Sequence, residues 1–193
     1  MQRYLLRLAN KSKSKPGDIH QISDQIRGIL GSRESASHFR IGTTAIEFNL
    51  FVRSSEELVK IETLLNESGL EILSDKLLDT PPKPVRRDEA LREGVQLFNE
   101  ERYWESHEVL EQIWRESKGA ERDALQGLIL TAAAFVHYQK NETDVFLSII
   151  KRARAKLDHL DTATQGFYQL VKKLDAIIES GHVQVFKLRT IGL

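Results

Sequence analysis

The segment YWESHEVLEQIW, residues 103–114, gathers the side chains in this sequence best suited to chemistry. His107 offers an imidazole, and Glu108 and Glu111 offer carboxylates one and four residues further on. Residues four apart stack on one face of a helix, so His107 or Glu111 could act there as a general base, with Arg122 stabilising an anionic group. The same two residues could ligate a divalent metal. The order His-Glu-x-x-Glu resembles the zinc-protease helix His-Glu-x-x-His, but Glu111 stands where the second His would be and no third ligand follows. Glu-x-x-His, which a di-iron bundle needs on each of two helices, occurs once only, at Glu179–His182. The sequence therefore predicts no metal and no cofactor, with His107 and Glu111 as the pair any metal would use.

At about 100° per residue, Tyr103, Leu110, Ile113 and Trp114 form an apolar stripe with His107 inside it. Glu111 falls beside Trp104 at the edge of the stripe, and Glu108 lies further round. The next helical segment has a main apolar face of Leu125, Leu128, Ile129, Ala132, Phe135 and Val136, and a second face of Gln126, Leu130, Ala133 and His137. A tight turn at Ser117–Ala120 makes the two helices antiparallel, which predicts a Glu111–Arg122 charge pair beside Trp114 and Leu125, with Gln126 a turn beyond and His107 facing Leu130. His137 lies about 16 Å past Gln126 along the helix, too far to share an ion with it. The candidate pocket is thus His107, Glu108, Glu111, Arg122, Gln126, Trp104 and Tyr103. Against it stands a buried polar network that only fixes helix register.

The blocks LFNEERYWESHEVLEQIWRES and ERDALQGLILTAAAFVHYQKNE, at their observed separation, resemble the helical family known as domain of unknown function 309 over about residues 87–160. The resemblance rests on the aromatic-x-x-His-Glu-x-x-Glu helix and the Arg-Asp-x-Leu-Gln-Gly-Leu-Ile segment. By position it singles out Asn99, Glu105, His107, Glu108, Glu111, Arg122, Gln126 and His137. Leu130 departs from the family, which often has Gln there. The resemblance implies a helical domain and no established activity, and it leaves residues 1–83 to be read from their own pattern.

Periods of two and of 3.6 residues organise the remainder. In the first half, Tyr4, Leu6 and Leu8 alternate with Arg3, Leu5 and Arg7, and Ile19, Ile22, Ile26, Ile29 and Leu30 recur at helical spacing. Ile46, Phe48, Leu50 and Val52 alternate with Glu47, Asn49 and Arg53 after a turn at Gly42-Thr43-Thr44, which predicts a hairpin with the Phe39–Ile41 strand. Ser54 or Ser55 caps a helix through Leu65 that Gly69 stops, and Leu70, Ile72 and Leu77 supply a last strand. The order βαββαβ predicts a ferredoxin-like domain over 1–79, a fold too widely used to name a function. Pro81, Pro82 and Pro84 mark a linker over 80–86. From 87 to 193 the period is helical, predicting a five-helix bundle with helices near 87–99, 103–117, 120–139, 142–159 and 163–179 and a strand-like tail from Val183 to Leu188. The fold class expected is α+β. Gly127 near Ala132–Ala134 reads as close helix packing.

The 28 basic and 28 acidic residues cancel, so nothing in the overall charge attracts nucleic acid or an anionic membrane. Local clusters such as KRARAK at 151–156, Lys172-Lys173 and the Lys11–Lys15 loop could touch phosphates, although a solvated face is the better account of them. Phe39, Phe48 and Phe51 do not make an RNA-recognition sheet. Zero cysteines exclude disulfides and thiolate chemistry. The apolar run Leu128–Val136 is far short of a membrane span, and the first residues lack a signal-peptide core. The expectation is a small cytoplasmic protein without a membrane partner that binds a small molecule or protein, with homo-oligomers allowed. The alternatives are an enzyme using His107 and Glu111 and, more weakly, a nucleic-acid binder.

Overall fold

A computed structural model describes residues 1–32, 34–80, 85–158 and 165–189. The chain is α+β, with a four-stranded antiparallel sheet in its first part and helices through its second. It divides into two compact units, Met1–Lys83 with Gln139–Asn141, and Pro84–Tyr138 with Glu142–Leu193. The linker prolines Pro81, Pro82 and Pro84 lie outside the described residues. Among the described residues no helix is long and apolar enough to cross a membrane.

In the first unit, strand β1 (Gln2–Ala9) is followed by a 3-10 turn and helix α1 (Ile19–Leu30), then β2 (Ala36–Ile41), β3 (Ala45–Val52), α2 (Ser55–Glu67) and β4 (Ile72–Leu77). The sheet order is β2-β3-β1-β4, with every neighbouring pair antiparallel. Register pairs Leu6 with Phe48 and Leu8 with Ile46, stacking their side chains on one face. Those side chains form a core with Ile26 of α1 and Leu58 and Leu65 of α2. Ser54 caps α2, its hydroxyl accepting from the Glu57 amide at 3.3 Å, and Gly69, at φ 80°, supplies the left-handed turn after it. The predicted alternation of β3 holds in side-chain direction but not in exposure. Glu47 and Asn49 are buried too, and Glu47 accepts from Arg7 Nε at 3.0 Å and Arg40 Nε at 3.1 Å.

The second unit contains α3 (Arg87–Asn99), α4 (Tyr103–Trp114), α5 (Gly119–Gln139), α6 (Thr143–Lys156) and α7 (Gln165–Ser180). Its core joins residues from all five, including Leu97, Leu110, Leu128, Ile150 and Leu174. Phe135 is its aromatic hub, with Phe98, Tyr103, Phe146 and Phe186 at 4.9–5.5 Å. Two glycines permit close helix approach: a Cβ on Gly94 would sit 2.7 Å from Leu110 Cγ, and one on Gly127 would sit 2.8 Å from Leu157 Cγ. Boundaries differ from expectation where helix ends are competed for. The helix predicted to 117 stops at Trp114 and the one predicted to 159 stops at Lys156, while residues 163 and 164, expected to open the last helix, lie outside the described residues. The tail Val183–Leu188 is not a strand. Its backbone joins no sheet, and Leu188 is instead held by the Asn99 side chain, which donates to its carbonyl at 2.9 Å and accepts from its amide at 2.6 Å.

Candidate functional site

Helix α4 is oriented by what it buries. Tyr103, Glu105, Ser106, Val109, Leu110 and Ile113 face inward. The Tyr103 hydroxyl is buried without a hydrogen-bond partner among the described residues, whereas Glu105 and Ser106 are satisfied. The Ser106 hydroxyl donates to the Gly94 carbonyl at 2.8 Å, and Arg102 grips Glu105 with Nε at 2.7 Å and Nη2 at 2.9 Å. These partners allow the buried face to centre on Ser106, Val109 and Ile113, which rotates the helix away from the predicted stripe by about a fifth of a turn. His107 consequently lies on the flank of the buried face, not inside it, and its side chain is 26% exposed. Trp104 and Trp114 lie on the same flank, half-buried against the core.

On that flank His107 stands between two carboxylates. Its Nδ1 is 3.6 Å from Glu108 Oε1 and its Nε2 is 3.9 Å from Glu111 Oε1. Glu111 is about one-third exposed and also pairs with the exposed Arg115 at 3.3 Å. One ligand atom from each of His107, Glu108 and Glu111 can be chosen so that all lie within 4.8 Å of one another. Two ligands on one zinc ion, each at about 2.1 Å, are at most about 4.2 Å apart, so the outer limit of this spacing exceeds what an ion tolerates without side-chain adjustment. The donors also come from a single helix. The group is an imidazole between acids, an arrangement that attracts a cation and can relay a proton.

The predicted Glu111–Arg122 pair does not form. Arg122 Nη1 donates to the carbonyls of Trp114 at 3.0 Å and Ser117 at 3.3 Å, and its guanidinium lies over the Trp114 indole at 3.9 Å. The reason is the end of α4. The Trp114 and Ser117 carbonyls lie at and just beyond that end and carry partial negative charge, so they draw the cation that was expected to reach Glu111. Gln126 is half-buried and its side chain makes no hydrogen bond to a described residue. Tyr103 stacks on Phe135 at 4.9 Å within the core. Burial, with Glu101 and Tyr138 nearby, pushes its phenol far above the ordinary range and keeps it neutral. Tyr103 is therefore an anchor, and His107, Glu108, Glu111 and Trp104 are the candidates that α4 brings together on one flank.

Other polar positions singled out by the resemblance have structural work. Asn99 holds the tail, Glu105 accepts from Arg102, and His137 at the end of α5 pairs with Glu142 through Nδ1. Two features are not foreseen from the sequence. The Arg102–Glu105 clamp has a local signal, opposite charges three apart at a helix start. The Arg7–Glu47–Arg40 group has none, because its members come from three strands.

A comparison with curated proteins finds no match for the chain. Residues 91–149, from the second turn of α3 into α6, match the family model described as Domain of unknown function (DUF309). This span contains all of α4 and α5, and with them every candidate residue derived above. That match over residues 91–149 agrees with the family resemblance carried by the two sequence blocks.

Proposed function

We propose that the protein is a cytoplasmic binding or regulatory module whose ligand site is a polar pocket on the His107 flank of α4, between α4 and α5, with Trp104 and Gln126 at its wall. The observation that carries this reading is the division of labour on α4. Glu105 and Ser106 are buried and satisfied, whereas His107 and Glu111 keep partly exposed polar atoms at 3.9 Å from each other. Two carboxylates beside one imidazole favour a cationic group, and Arg115 already supplies a guanidinium there. An exposed pair of that kind is worth about 0–1 kcal/mol, so a ligand amine or guanidinium displaces it at little cost. In the wider architecture we read residues 1–79 as a ferredoxin-like domain, supported by the strand order, and 87–193 as an independent five-helix bundle joined to it through 80–86.

Amide chemical-shift titration of the full chain with methylguanidinium and propylamine tests this. Shifts are expected at residues 104–111 and at the Trp104 indole, and are lost in Glu111→Gln. No shift with either probe, or shifts that survive Glu111→Gln, would overturn it. The second reading is an enzyme in which Glu111 and His107 act as acid–base or metal-binding groups, favoured by the carboxylate at each ring nitrogen. Elemental analysis separates its metal version: near-stoichiometric metal that disappears in His107→Ala would support it.

A further inference from the structure

We infer that the groove between the first half of α7 and the C-terminal tail is a binding site for a small phosphate monoester or free phosphate. The groove is about 210 Å³ and is lined by Gly166, Gln169, Leu170 and Lys173 of α7 and by Phe186, Lys187, Leu188 and Arg189 of the tail. On α7 the four positions fall at i, i+3, i+4 and i+7, which is one helical face. In the extended tail, alternation puts Lys187 and Arg189 on the side opposite Phe186 and Leu188. Phe186 enters the aromatic core, 5.4 Å from Phe135 and 5.6 Å from Phe98, and Asn99 clamps both backbone groups of Leu188. The two cations of the tail are therefore held in place from beneath.

Charge identifies the ligand. Among the described residues three cations and one amide line the groove, and no acid does. Lys173, Lys187 and Arg189 make no ion pair among the described residues. The nearest acid along α7, Asp175, is engaged by Arg154 of α6 at 2.7 Å. By contrast Arg7, Arg40, Arg87, Arg102, Arg115 and Lys156 all have acidic partners. Three cations without an acidic partner among the described residues repel one another in one concavity, and a dianion with several acceptor oxygens removes that repulsion while accepting from lysine, arginine and the Gln169 amide. The buried Leu170, Phe186 and Leu188 give the floor an apolar surface suited to the carbon part of an ester. The volume suits a phosphate with a few carbons. The site is distinct from the His107 flank and does not rest on the function proposed there.

The test uses the full-length chain, calorimetric titration, and the amide shifts of Gly166 and Gln169. Glycerol phosphate and inorganic phosphate are the two probes, with glycerol as the uncharged control and a uridine oligonucleotide as the macromolecular arm. Saturable binding of a phosphate probe is expected, with none for glycerol. Each of Lys173→Gln and Arg189→Gln should weaken it by at least about tenfold. Lys172→Gln should leave it unchanged, because Lys172 lies over the Tyr168 ring at 4.7 Å and not in the groove. Tighter binding of glycerol phosphate than of inorganic phosphate makes the ester the ligand, and equal binding makes it the free anion. Absence of saturation by either probe, equal losses in Lys172→Gln, or binding confined to the oligonucleotide would overturn the inference.

Discussion

Replacing Arg102 by Met should destabilise the helical unit well beyond the effect of a surface substitution. The Glu105 carboxylate is 2% exposed and takes both arms of the Arg102 fork, at 2.7 and 2.9 Å. Cutting a fully buried ion pair on one side costs about 3–5 kcal/mol, chiefly because the remaining charge is stranded out of water. Arg102 itself is 27% exposed, so water partly solvates the gap and the expected loss falls to about 2–4 kcal/mol. The second contact of Arg102, to the exposed Glu100 at 3.2 Å, adds about 0–1 kcal/mol at most. Urea unfolding followed by tryptophan fluorescence is the assay, and it is selective: the chain has two tryptophans, and both, Trp104 and Trp114, are on α4. The double replacement Arg102→Met with Glu105→Met should recover much of the loss, since it removes the stranded charge along with its partner. A loss under about 0.5 kcal/mol for Arg102→Met would refute the reasoning, because a carboxylate buried that deeply cannot lose its counter-charge so cheaply.

Other expectations follow from neighbouring geometry. Glu47→Leu removes the carboxylate shared by Arg7 and Arg40 and should lower the stability of the sheet unit by about 3–5 kcal/mol in thermal or urea unfolding. Gly127→Ala drives a methyl against the buried Leu157 side chain and should cost about 1–3 kcal/mol by the same assay. Arg122→Ala strips the end of α4 of its cap and its indole contact, for a loss of about 1–2 kcal/mol, while Arg115→Ala, an exposed pair, should change stability by no more than about 0.5 kcal/mol.

Local period made much of the chain legible. The 3.6 spacing of Ile19, Ile22, Ile26 and Ile29 marks α1, the alternation Ile46-Phe48-Leu50-Val52 marks β3, and Ser54 marks the start of α2, because each signal lies within a few adjacent residues. Long-range partners were less legible. Charge alone suggests that Arg122 seeks Glu111, but the carbonyls at the end of α4 also carry partial negative charge and lie within its reach, and helix ends do not appear in a residue count. The facing of α4 was misjudged for a related reason. Ser106 and Glu105 look like surface residues until Gly94 O and Arg102 are known to satisfy them. Asn99 stood out by resemblance, and only the path of the tail reveals its partner, 89 residues away. The cluster of His107, Glu108 and Glu111 could be read from spacing because a single helix carries all three.

The most direct test is whether the His107 flank serves binding or merely holds the fold. The combined variant His107→Ala, Glu111→Gln, Gln126→Ala is compared with the parent by urea unfolding, monitored by circular dichroism and tryptophan fluorescence. His107 and Glu111 keep 26% and 32% of their side chains exposed, and Gln126 has no hydrogen bond to a described residue, so little of the folding energy depends on them. The predicted outcome is a loss below about 1 kcal/mol with the helical spectrum retained. A loss of about 3 kcal/mol or more would contradict the assignment, since that is the effect of breaking a buried polar network.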